Sequence, residues 1–78
     1  MGTVEIRKEI MDFAVEMELK MQTHDEDRGD SWKVCGLSDL AKGLEREMHE
    51  YALSGNRQEL VDVSNYCMMV WNRRRSSR

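Results

Sequence analysis

The dipeptide Gly55-Asn56 restricts the fold more than any other feature, because it separates two stretches whose apolar residues recur every three or four positions. Glycine ends a helix well by taking the left-handed conformation just past its last turn, and asparagine starts one by accepting a hydrogen bond from a free backbone N–H. Before the dipeptide stand Leu37, Leu40, Ala41, Leu44, Met48 and Tyr51; after it stand Leu60, Val63, Cys67, Val70 and Trp71. Each set falls on one face of a helix. Helices are therefore expected over 38–54 and 57–73, and so short a turn makes them an antiparallel hairpin. No proline interrupts either stretch.

A third helix is expected over 3–22, with Ile6, Ile10, Phe13, Ala14, Met17 and Met21 as its stripe, Thr3 as N-cap, and Arg7, Lys8 and Glu18 on the solvated side. Residues 23–36 break the pattern with two glycines, three aspartates and two hydroxyl residues, so they read as a loop that Trp32 pins to the body. In the last helix Val61, Met68 and Met69 lie off the main stripe, which leaves that helix apolar nearly all round. Such a helix needs more than one neighbour. Three short helices supply few, so the side with Met68 and Met69 is expected to pack on a second copy. The fold class that results is all-α: one domain over 1–78, a three-helix subunit assembling into a dimeric or tetrameric helical bundle.

Several function classes are disfavoured. With 12 basic and 15 acidic residues the formal net charge is −3, whereas a general nucleic-acid binder carries a basic excess. The charge is unevenly spread: segment 24–30 is acidic, and Arg73, Arg74, Arg75 and Arg78 make the C-terminal end basic. No apolar run approaches the roughly 18–20 residues of a spanning helix, and no basic-then-apolar leader opens the chain, so a cytoplasmic protein with no membrane partner is expected. Cys35 and Cys67 are expected to stay reduced there. A zinc site from His24, Cys35, His49 and Cys67 lacks a close ligand pair, neither histidine completes a Glu-x-x-His di-iron motif, and Gly29 comes too early for a calcium loop beginning at Asp25. No phosphate-cradling glycine loop is present.

What remains are carboxylates. Glu47 with Glu50 and Glu59 with Asp62 are each spaced i, i+3, one turn apart on a helix face. Glu47 and Glu50 fall roughly 80° and 140° from the centre of their helix's apolar stripe, and Glu59 and Asp62 roughly 90° and 150° from theirs. These angles leave open whether the pairs share one rim. Glu47 and Glu50 also fit an ordinary solvated face, and Glu59 is placed to close a capping box on Asn56. If the four meet, like charges raise one another's pKa, and a hard divalent cation such as Mg²⁺ or Mn²⁺ removes the conflict.

The run Glu47-Met48-His49-Glu50, a short turn, then Glu59-Leu60-Val61-Asp62 resembles the paired ExxE and ExxD motifs of the MazG-like all-α nucleoside triphosphate pyrophosphohydrolases, whose relatives include the all-α dUTPases and dCTPases. Met17-Glu18-Leu19-Lys20, the His24-to-Trp32 loop, and Val63-Ser64-Asn65 followed by Tyr66-Cys67-Met68-Met69 are similar to short phage and bacterial members, so the likeness covers about residues 10–72. It implies hydrolysis of a nucleoside triphosphate to monophosphate and pyrophosphate, with Mg²⁺ (or Mn²⁺ in its place) held by Glu47, Glu50, Glu59 and Asp62. It further implies a water-activating carboxylate at Glu47 or Glu50; Asn65, one turn beyond Asp62, is a candidate to contact the nucleotide or a metal-bound water, Lys20 and Lys33 to contact phosphate, and Trp32 either to stack on a base or simply to anchor the loop. The chain is shorter than many members, so assembly into a homodimer or homotetramer is expected to complete the nucleotide pocket. The competing expectation is a non-catalytic helical interaction module, suggested by the methionines of the third helix and by Arg73-Arg74-Arg75.

Overall fold

The computed structural model describes residues 2–76, so Arg78 of the basic end lies outside the described residues. Three helices follow in order: α1 over Lys8–Thr23, α2 over Leu37–Ser54 and α3 over Arg57–Ser76, with a short 3-10 turn at Ser31–Lys33. No strand occurs among the described residues. None of the helices is long and apolar enough to cross a membrane.

The boundary between α2 and α3 has the expected chemistry. Gly55 takes φ +67° and donates its N–H to the Tyr51 carbonyl at 2.8 Å, while Asn56 Oδ1 accepts from the Gln58 N–H at 2.9 Å. The start of α1 is a correction. Arg7, extended at φ −63° and ψ 152°, precedes the first helical residue, so Thr3 caps nothing and Ile6 lies outside the helix, more than half exposed. Most of a helix's stability comes from packing rather than propensity. No residue of α1 is fully buried, and its only extensive interhelical contact is with α3. A further turn at its N-terminus would have had nothing to pack on.

Helix α3 is central. It packs on α2 most extensively, on α1, and on the 3-10 turn. This corrects which side of α3 faces inward. Val61 and Asn65, each 4% exposed, are its buried residues, with Met68 and Met69 half-buried beside them. Of the expected core stripe, Leu60, Cys67 and Trp71 lie on the exposed arc, with Trp71 61% exposed, while Val63 and Val70 are half-buried. The neighbours that an all-round apolar helix requires are thus supplied largely within the subunit, and the side left open is the one with Leu60 and Trp71.

The inward face of α2 is rotated as well. Leu40 and Gly43 are buried and Leu44 and Glu47 half-buried, whereas Met48 is 54% exposed. That is a turn of roughly 60° towards Glu47 relative to the apolar stripe. Gly43 explains it: a Cβ there would collide with the Tyr66 ring of α3, so the absent side chain is what lets the helices approach on this flank. The loop is tied down from the far end of α3, where Arg73 Nη1 donates to the carbonyls of Trp32 at 2.9 Å and Cys35 at 2.6 Å. Both cysteines are free thiols.

Candidate functional site

The rotation of α2 decides where the carboxylates go. Because Gly43 lets Tyr66 in, Glu47 one turn later is drawn into the interface with α3, and its side chain is 13% exposed. There one oxygen each from Glu47, Glu50 and Glu59 lies within 4.8 Å of the others. Glu47 and Glu59 are half-buried and Glu50 is exposed. Asp62 is not in this group. Its Oδ1 faces Lys20 Nζ from α1 at 3.6 Å, with both side chains largely covered. The four expected ligands are therefore divided into a trio and a neighbour held by a lysine.

The helix-capping role open to Glu59 is not realised. The Asn56 N–H that a capping box would use donates instead to Ser54 Oγ at 3.1 Å. Glu47 is oriented by the residue before it. Arg46 Nη2 donates to Glu47 Oε1 at 3.3 Å and to Tyr66 Oη at 3.1 Å, and the guanidinium sits 5.9 Å from the Tyr66 ring centroid. The hydrogen bond to Tyr66 first, and that to Glu47 second, raise the Arg46 pKa above its ordinary value, so this cation stays charged at any working pH. Among the described residues no cation pairs with Glu50 or Glu59.

Beside the trio opens a cavity of about 460 Å³, within the size range of small-molecule sites. Glu47, Glu50 and Asp62 lie on its wall together with the cations Lys20, Arg28 and Arg46. Its remaining lining includes the polar Trp32 and Asn65 and the apolar Met21, Leu40 and Met69. Lys20, Trp32 and Asn65 thus all line this cavity. Lys33 does not: it pairs with Asp30 at 3.3 Å and lies over the Trp32 ring at 5.6 Å from the centroid. Sequence reasoning missed Arg28, Arg46 and Tyr66. A glycine in the middle of an apolar helical pattern signals close approach, and Gly43 was the clue to Tyr66.

The donor set suits a hard cation. Three carboxylates and no thiolate or imidazole favour Mg²⁺ or Mn²⁺ over zinc. Ligand oxygens around Mg²⁺ at about 2.1 Å lie at most about 4.2 Å apart, so the trio would have to draw together to share one ion. No protein-family model, curated protein or solved structure matches the chain.

Proposed function

We propose that the protein is a Mg²⁺-dependent nucleoside triphosphate pyrophosphohydrolase of the MazG-like type, cleaving the anhydride between the α and β phosphates. The observation that carries this reading is the convergence of Glu47, Glu50 and Glu59 beside a cavity that also holds Lys20, Arg28 and Arg46. A carboxylate cluster suits a cation, and cationic side chains on the same cavity wall suit an anion; a magnesium–polyphosphate complex has both. The helical pair is read as an antiparallel hairpin, since Gly43 lies by Tyr66 while Glu47, further along α2, lies by Glu59, earlier along α3.

Mg²⁺ would be held by Glu47, Glu50 and Glu59, joined by Asp62 once Lys20 releases it, and would offset phosphate charge and polarise the phosphoryl oxygen. The chain's own residues divide the remaining work. Arg46 fixes the Glu47 carboxylate, so Glu47 acts as a ligand rather than a base. Glu50, exposed and without a cationic side-chain partner among the described residues, would give one carboxylate oxygen to the metal and accept the proton of the attacking water on the other. As the water oxygen bonds to the α phosphorus, the bond to the bridging oxygen breaks and pyrophosphate leaves with the electron pair. Lys20 and Arg28 are placed to hold the phosphates.

A homodimer or homotetramer in the cytoplasm belongs to the same reading, supported by the exposed arc of Leu60, Cys67 and Trp71. That arc also favours the alternative, a non-catalytic interaction module. Incubation with a panel of NTPs and dNTPs plus Mg²⁺, scored by pyrophosphate release, decides between them. Turnover is expected, and Glu50→Gln is expected to lower it at least about 100-fold without changing the melting temperature. A folded protein that turns over none of the panel overturns the enzymatic reading.

A further inference from the structure

The exposed face of α3 carries two unlike surfaces. At its N-terminal end a groove of about 560 Å³ runs between α1 and α3. Phe13 and Val15 of α1 and Leu60 of α3, all exposed, give it an apolar lining, and Glu9, Asp12 and Glu16 of α1 an acidic one. Asp12 pairs with Lys8 at 2.7 Å, but among the described residues no cation pairs with Glu9 or Glu16. Arg57 is the sole basic residue of the lining, so the groove is acidic. At the C-terminal end of the same face stands Trp71, with the Arg75 guanidinium 4.8 Å from its ring centroid and bonded to Asn72 Oδ1 at 3.2 Å. Trp71, Arg74 and Arg75 are all exposed.

An acidic apolar groove and a basic aromatic knob are complementary, yet they stand about 16 Å apart along one rigid helix and cannot meet within a chain. Between two chains they can. At 100° per residue Leu60, Cys67 and Trp71 lie within an arc of about 40°, and Arg75 lies about 60° to one side of Leu60. That is the side of α1, marked by Asn65, whose Nδ2 donates to the Met17 carbonyl. A two-fold axis perpendicular to α3, midway between Leu60 and Trp71, sets two copies antiparallel with arc on arc and keeps each flank on its own side of the pair. Trp71 of one copy then meets Leu60 of the other, and Arg75 comes beside the acidic wall of the other copy's α1. Two-fold symmetry makes the contact twice. A parallel pair would instead set the two arginine ends side by side and the two acidic grooves side by side, and like charges oppose it. Exposed ion pairs add little net affinity, so burial of Trp71, Leu60 and Phe13 holds the copies together while the charges select the orientation.

We propose that the groove between α1 and α3 receives the Trp71–Arg75 end of α3 from a second copy, giving an antiparallel two-fold dimer. This deepens the oligomeric part of the reading above by naming its surface and orientation. It is independent of the catalytic part, because none of the cavity's carboxylates lines the groove.

The test is sedimentation velocity of the full chain over a range of concentrations. A dimer is expected, with a dissociation constant that rises as NaCl is added. Arg74→Glu with Arg75→Glu, and separately Glu9→Lys with Glu16→Lys, are each expected to raise that constant at least about tenfold. All four changes together are expected to return it to within about threefold of the wild type, because the attraction is restored with its signs exchanged. A second measurement needs no charge variant. Cys67 is an exposed thiol about 2 Å along the helix from the midpoint, so the Cys35→Ser protein treated with a short bis-maleimide is expected to give a covalent dimer. If each charge pair weakens the dimer and the combination does not restore it, the two ends do not face one another and the proposal fails. If neither pair shifts the constant, the copies meet without the groove, and the proposal fails while the oligomeric reading stands. A monomer at every concentration, with Cys67 not cross-linked, overturns both and leaves the groove to a different partner. Pyrophosphate release reads the catalytic proposal separately from all of these outcomes.

Discussion

Asp62 shows how much a single residue's environment can decide. It carries the last letter of the carboxylate motif, yet its near neighbour is Lys20 Nζ at 3.6 Å rather than the other three acids. A unit charge at that distance, with both side chains largely covered, competes directly with a cation for the same oxygen. Lys20→Gln is therefore expected to tighten Mg²⁺ binding to the nucleotide-free protein by roughly threefold to tenfold in calorimetry, while weakening tripolyphosphate. Unchanged Mg²⁺ affinity would show that Asp62 is not a ligand. Gly43 is the other decisive residue. An alanine there gains up to about 1 kcal/mol in helix propensity but must push the Tyr66 ring aside, and overpacking costs about 1–3 kcal/mol. Gly43→Ala is expected to lose about 1 kcal/mol in urea unfolding.

At the scale of the element, the turn joining α2 to α3 positions the site more than the helices' own propensities do. Asn56 caps α3 and Ser54 takes the Asn56 N–H, and together they leave Glu59 free to face α2. Asn56→Ala is expected to cost about 1 kcal/mol in chemical denaturation, the usual worth of such a cap. It also frees the first turn of α3, so Mg²⁺ affinity is expected to fall with it. The opposite terminus of the chain shows what happens without such help: residues 2–7 carry Val4 and Ile6 but find nothing to pack against, and α1 begins only at Lys8.

For the whole molecule, the governing fact is a small core. Leu40 and Val61 are the buried hydrophobic side chains among the described residues, while Ile10, Phe13, Val15, Leu19, Leu60 and Trp71 are exposed. A domain of this size buries only about 60% of the surface of its unfolded chain, and small scaffolds commonly reach stability through oligomerisation. Light scattering is expected to show a dimer or tetramer. The double variant Leu60→Glu and Trp71→Glu is expected to reduce it to a monomer with a lower melting temperature. An unchanged oligomer would place the interface elsewhere, on α1.

The linear order of residues determined the three helices, the Gly55-Asn56 boundary and the two acidic pairs, because periodicity and capping act within a few residues of chain. Lys20, Trp32 and Asn65, singled out through the family resemblance, line one cavity in the structure. The linear order did not determine which way the helices face. That depends on where a missing side chain at Gly43 admits Tyr66, a contact between residues far apart in the chain. The resulting turn of α2 carries Glu47 into the interface, hands Arg46 to Tyr66, and exposes the arc of α3 that its apolar pattern had marked as core. Helix identity is local physics; helix rotation is settled only when two surfaces of fixed shape must fit.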